Sequence, residues 1–165
     1  AEGARGELMR KGTVWEQTLA NRKRMIEVCP KVDFYISATV GLINSLHIPD
    51  FHRNWVEQGL IKPMDFNFNL LQYPDWQRMD LLPEEFKKQV KDKYEKQIEW
   101  LKDKDPLTRA IKGYESAIDW IYRRDNSKIL PLFFKKTELY DKIRNENTVE
   151  VFPEWKELFE KYEKN

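Results

Sequence analysis

The sequence predicts an α/β fold: half of a TIM-like βα barrel with parallel strands, followed by a mainly α-helical C-terminal region. Three observations lead there. Residues 32–40 and 65–71 are rich in β-branched and aromatic residues and read as strands. The segment between them is long enough for a helical crossover, which means parallel pairing, as in a doubly wound sheet or a barrel. After Pro74 apolar residues recur at helical spacing, with lysines and glutamates on the opposite faces. The chain therefore divides into a half-barrel over residues 1–80 and a helical extension over residues 81–165.

Taken in order, Thr13 and Glu16 form a capping-box pattern that opens a helix to Val28, with Trp15, Leu19 and Ile26 facing inward. Pro30 stops it. On the first strand Tyr35, Ser37 and Thr39 share one face and Phe34, Ile36 and Ala38 the other, because side chains alternate. Pro49 suits a first helical turn, Phe51 and Trp55 share a face of that helix, and Gly59 caps its end. On the second strand Asn67, Asn69 and Leu71 oppose Phe66, Phe68 and Leu70. From Pro83 onward Phe86, Val90, Tyr94, Ile98 and Leu101 mark one helix face. Asp105 and Pro106 open the next helix, which turns Leu107, Ile111, Tyr114, Ile118 and Ile121 inward. Ser127 caps a segment that Pro131 interrupts, helix resumes from Phe133 to Arg144, and Pro153 starts a last short helix with Trp155, Leu158, Phe159 and Tyr162.

Bulk properties exclude several classes. A hydrophobic content of 41% with 13% aromatics rules out wholesale disorder. At 165 residues the chain supports one domain with a real core, and is too short for a complete barrel plus an extension. Charged residues make up 35%, yet the formal net charge is +1, so no basic field for nucleic acid is expected. The lysines from Lys87 to Lys96 are interleaved with Glu84, Glu85, Asp92 and Glu95, the pattern of a solvated helix face. One cysteine, Cys29, excludes an internal disulfide framework and fits a reducing cytoplasm; beside Pro30 it reads as a small buried spacer. No apolar run reaches the roughly 18–20 residues of a membrane span. His47 and His52 are spaced by five, wrong for one helical face, and no cluster of ligands supports a metal; His52 reads as part of a surface helix. The tryptophans default to core positions.

Chemistry is suggested by polar residues where strands should be apolar. Strands of parallel sheets are covered on both faces and normally read as continuous hydrophobics. Ser37 and Thr39 break that rule, and their stripe suits a barrel lumen that holds a polar cofactor. Asn44 follows the strand end, at the rim where barrel active sites sit. Asn67 and Asn69 repeat the pattern on the next strand at a desolvation cost unless they are bonded. Gln72 then lies at the same rim, on the side of a substrate.

The run Gly3-Ala4-Arg5-Gly6-Glu7-Leu8-Met9-Arg10-Lys11-Gly12-Thr13 looks like the middle of a protein rather than its beginning. With Trp15, Asn21-Arg22-Lys23, Cys29-Pro30, Thr39-Val40, Asn44 and Pro49-Asp50-Phe51-His52, it resembles the second half of the barrel of radical S-adenosylmethionine enzymes, the twitch-domain type in particular. The resemblance spans about residues 1–85. It implies an enzyme that reductively cleaves S-adenosylmethionine at a four-iron four-sulfur (4Fe-4S) cluster and abstracts hydrogen with the 5′-deoxyadenosyl radical. Glu2 stands where that family places an acidic residue near the cofactor ribose. Glu7, Arg10 and Gly12 reproduce a Glu-x-x-Arg-x-Gly pattern, in which Arg10 would grip the methionine carboxylate bidentately and Glu7 would orient its guanidinium. By the same resemblance Ser37, Thr39 and Asn44 complete the cofactor side, and Asn67, Asn69 and Gln72 face the substrate. The family's C-x3-C-x2-C cluster motif is absent here. The resemblance thus implies a C-terminal piece with no cluster of its own, inactive alone, whose partner is the missing N-terminal barrel half. The competing reading is a non-enzymatic helical interaction module.

Overall fold

A computed structural model describes residues 1–162. Two short helices, α1 (Gly3–Met9) and α2 (Trp15–Val28), precede strand β1 (Ile36–Val40). Helix α3 (Ile48–Glu57) crosses over to β2 (Phe66–Leu70), and the strands pair in parallel with Ser37 opposite Asn67 and Thr39 opposite Asn69. Single 3-10 turns at Asp75–Gln77 and Met79–Leu81 lead to α4 (Glu84–Leu101) and α5 (Arg109–Tyr122). Helices α6 (Leu130–Arg144), α7 (Thr148–Val151) and α8 (Lys156–Tyr162) complete the described chain. The α/β class and the parallel crossover agree with the sequence reading. Among the described residues the sheet holds two strands. No helix there is long and apolar enough to cross a membrane.

The crossover helix ends as its sequence dictates. Gly59 adopts φ +68, and its N–H donates to the Val56 carbonyl while Leu60 N–H donates to that of Trp55. This pair of bonds is the Schellman arrangement, and the buried Leu60 and Trp55 supply its hydrophobic contact. The strands turn one face to the core: Ala38, Val40 and Phe66 are buried, while Ser37, Thr39, Asn67 and Asn69 are exposed. Phe66 packs edge-on to Phe51 of α3, and Phe68 to Tyr114 of α5 at 4.6 Å between centroids.

Helix α5 lies so close to β2 that a Cβ added at Gly113 would sit 2.3 Å from Phe68 Cδ2. The Phe68 ring is hemmed in by Phe66, Tyr94 and Tyr114 and has little room to retreat. Gly113→Ala should therefore cost about 2–3 kcal/mol through overpacking, a net loss of about 1–2 kcal/mol after a helix-propensity gain of about 1 kcal/mol. Urea unfolding measures it; equal or raised stability would show that the ring moves aside.

The core is continuous across residue 80, with Leu42, Ile48 and Phe66 in one cluster with Phe86, Tyr94, Tyr114 and Trp155. Trp155 Nε1–H donates to the Ile43 carbonyl at 2.7 Å, tying the C-terminal segment to the loop after β1.

Several local expectations are corrected. No side-chain bond caps α2 from Thr13; the Glu7 carboxylate accepts the Trp15 N–H instead. That helix buries no residue completely, so Trp15 and Leu19 are half-buried and Ile26 is exposed. Cys29, at its end, is likewise exposed rather than a buried spacer. The first strand starts at Ile36, not at Val32. Asp105 does cap α5, accepting from Arg109 N–H and Ile111 N–H, but the helix opens only after a turn at Thr108, and Leu107 stays exposed. Pro131 lies in the first turn of α6, where its missing N–H removes no helix bond, so it begins the helix rather than interrupting one. His52 is fully buried, not on a surface helix. Its Nε2–H donates to the Pro63 carbonyl at 2.9 Å and its Nδ1 accepts from the Tyr114 hydroxyl at 3.2 Å.

Candidate functional site

The open face of the sheet is a two-by-two patch of Ser37, Thr39, Asn67 and Asn69, in direct register. Asn69 Nδ2 donates to Ser37 Oγ at 2.6 Å, so part of the desolvation cost expected for these residues is met within the patch. Beside it, α1, the turn through Gly12, the start of α2 and strand β1 enclose a concavity of about 690 Å³. Its walls include Arg10, Gly12, Thr13, Ser37, Thr39 and Asn44. Gly12 has φ +88, a backbone that favours glycine, and it reverses the chain between the two helices.

The roles of the predicted residues separate once their partners are seen. Arg10 lies just past the end of α1, is exposed, and makes no ion pair among the described residues. Glu7 does not hold it; its carboxylate caps α2 at 2.8 Å and so fixes the angle between α1 and α2. Asn44 is buried and uses both ends of its amide: Oδ1 accepts from Gly41 N–H and Nδ2 donates to the Thr39 carbonyl, each at 2.9 Å. It shapes the rim beyond β1. Glu2 accepts from Asn54 Nδ2 at 2.8 Å and braces α1 against α3. The concavity thus gathers Arg10, Ser37, Thr39 and Asn44, with Asn69 joined through Ser37; Glu2, Glu7, Asn67 and Gln72 are not in its walls.

A second cavity, of about 320 Å³, opens at the carboxyl ends of β1 and β2, where parallel sheets commonly bind ligands. Thr39 belongs to its wall too, so the two spaces adjoin along β1. Helix α6 covers it, contributing Tyr140 and Arg144, with Gly41, Leu71, Trp76 and Gln77 opposite. Gly41 is required there, since a Cβ would come within 2.7 Å of the Gln77 carbonyl. Arg144 lies 4.9 Å from the Tyr140 ring centroid, a cation–π distance. Sequence reasoning missed Trp76, Gln77, Tyr140 and Arg144. The available signal was Gly41 directly after a strand, a mark of close backbone approach. Gln72 lines a separate hollow with Arg78, Asp80, Trp120, Arg123 and Arg124.

The fit to the two implied groups differs. A cluster needs several thiolates, and the sequence offers Cys29 alone. Among the described residues no group of three or more His, Cys, Asp or Glu is placed to hold a metal ion. The concavity beside the sheet, by contrast, has the Arg10 guanidinium, which makes no ion pair among the described residues, beside the Ser37 and Thr39 hydroxyls, a donor set suited to a carboxylate and sugar hydroxyls. Comparison of the chain with protein-family models, with curated proteins and with solved structures finds no match.

Proposed function

We propose that the concavity beside the open sheet face is one wall of an S-adenosylmethionine cradle, and that this chain is the C-terminal part of a radical S-adenosylmethionine enzyme. The observation that carries the reading is the uncovered polar face of a parallel pair with Arg10 at its rim. A parallel sheet with one bare face is uncommon, and uncharged hydrogen-bonding side chains on that face suit a lumen better than a core. When bound, the cofactor supplies a sulfonium whose reductive cleavage yields the 5′-deoxyadenosyl radical. In this reading Arg10 would hold its carboxylate, and Ser37 and Thr39 would offer hydroxyls to its polar edge. Asn44 keeps the rim in shape, and the Glu7 cap holds the Arg10 turn where it is. The 4Fe-4S cluster ligands belong to the remainder of the barrel in the intact parent. Asn67 and Asn69 then face the substrate.

The test is a titration of the isotope-labelled chain with S-adenosylmethionine followed by amide NMR. Saturable shifts at Gly12, Thr13, Ser37 and Thr39 are expected. Arg10→Lys keeps the charge and loses the fork, and should weaken binding by about 1–3 kcal/mol. Equal affinity in the variant returns Arg10 to an ordinary surface role, and an absence of saturable shifts at millimolar cofactor rejects the cradle.

A further inference from the structure

We propose that Gln72, Arg78, Arg123 and Arg124 form an oxyanion site for the phosphate group of a small phosphomonoester. The site stands on residues distinct from the cradle and does not rest on that reading. Gln72 follows the end of β2 by two residues, while Arg123 and Arg124 follow the end of α5. The two chain ends converge, together with the turn that carries Arg78 and Asp80, around a hollow of about 260 Å³.

Arginines at the end of a helix have an ordinary explanation, since they complement its negative dipole end. Three further features exceed that explanation. Arg78 is held rigidly: its Nε donates to Asp80 Oδ1 at 3.1 Å, its Nη2 donates to Asp80 Oδ2, and its guanidinium lies 5.5 Å from the Trp120 ring centroid. Asp80 is itself buried and fixed by Asn126 Nδ2 at 2.8 Å, so the carboxylate serves as a brace for the cation. Arg123 and Arg124 make no ion pair among the described residues, although Asp119 and Asp125 are near in sequence. The third feature is Trp120, whose Nε1–H is shielded from solvent with no hydrogen-bond partner among the described residues, in the same wall.

Charge selects the ligand. Three guanidiniums against the Asp80 carboxylate leave two positive charges in the lining, matching a phosphomonoester dianion rather than a single carboxylate. Guanidinium forks bind phosphate oxygens in pairs, and Gln72 adds a neutral donor. The position, past the carboxyl end of β2, is where ligands of parallel sheets sit.

Calorimetric titration of the chain with glycerol 3-phosphate, inorganic phosphate and acetate at matched ionic strength tests the proposal. Glycerol 3-phosphate should bind at least as tightly as inorganic phosphate, and acetate about tenfold more weakly than either, as the charge difference requires. Arg123→Gln and Arg124→Gln should each weaken phosphate binding by about tenfold, with Arg123→Lys intermediate because it keeps charge and loses the fork. Both arginines are exposed, and unchanged circular dichroism confirms that each variant folds. Affinity should also fall below about pH 6 as the phosphate dianion gains a proton. Binding indifferent to these variants, or acetate as tight as phosphate, overturns the proposal. So does inorganic phosphate binding with the ester excluded, or an oligonucleotide binding a hundredfold tighter. S-adenosylmethionine titrated into the same variants should bind unchanged, and Arg10→Lys should leave phosphate binding unchanged, so either site can fail without the other.

Discussion

Replacing Trp155 with alanine is expected to remove roughly 3–5 kcal/mol of stability, the range for emptying a fully buried large aromatic site. Trp155 has no exposed surface and packs against Phe86 of α4 at 6.2 Å between ring centroids. Its indole N–H is also the donor to the Ile43 carbonyl in the loop after β1. Alanine would therefore leave a cavity and take the donor from that part-buried carbonyl. Trp155→Phe separates the two effects. It keeps most of the ring volume and should cost about 1–3 kcal/mol for the orphaned acceptor and the residual gap. Equilibrium urea unfolding gives both values, and hydrogen exchange at β1 reports where the loss is felt. A Trp155→Ala protein within 1 kcal/mol of the parent, with β1 equally protected, would show that the C-terminal segment lies on the strand unit without supporting it.

The parts of this structure visible in the sequence are those in which neighbouring residues decide the outcome. The period-two alternation of Ile36, Ala38 and Val40 with Ser37 and Thr39 follows from one face packing on helices, and the structure has that alternation. The Pro49 start and Gly59 stop of α3 are local backbone chemistry, legible for the same reason. Partners distant along the chain were not legible. Glu7 and Arg10 sit at a spacing that suits a helical pair, yet α1 ends at Met9, so Arg10 leaves the helix and Glu7 reaches Trp15 instead. His52 looks like a surface residue because it is polar, but Pro63 and Tyr114 satisfy both ring nitrogens and let it be buried. Cys29 looks like a core residue because cysteines usually are, but α2 has little core to enter. The cluster of Gln72 with Arg78, Arg123 and Arg124 joins a strand end to a helix end, and no periodicity relates the two.

Stability should fall steeply as the solution is acidified from pH 7 toward pH 4.5, because His47 and His52 are buried as neutral rings. Burial is the leading cause in both, and each pKa is drawn down from the usual 6.5 to about 4. For His47 the Arg5 guanidinium adds to the effect: its Nη1–H donates to His47 Nδ1 at 2.8 Å, a bond that a protonated imidazole cannot accept. Lys93 opposes protonation and Asp50 favours it more weakly than burial resists. For His52 the Tyr114 hydroxyl occupies Nδ1 in the same sense, while Asp105 and the Pro63 carbonyl favour the charged form without overcoming burial. The sign follows from proton counts. Between about pH 6.5 and 4 the unfolded chain takes up a proton at each histidine and the folded chain does not, so stability is retained above pH 6.5 and lost as pH falls toward 4. At about 1.4 kcal/mol per pKa unit, each histidine accounts for roughly 3 kcal/mol across that interval. Urea midpoints at pH 7.5, 6.5, 5.5 and 4.5 should therefore drop with a slope approaching two protons. His47→Gln, whose amide can still accept from Arg5, should shallow that slope by about one proton while the fold persists at pH 7.5. A flat profile from pH 7 to 4.5 would mean that both rings protonate in place, and that the Arg5–His47 contact opens without cost.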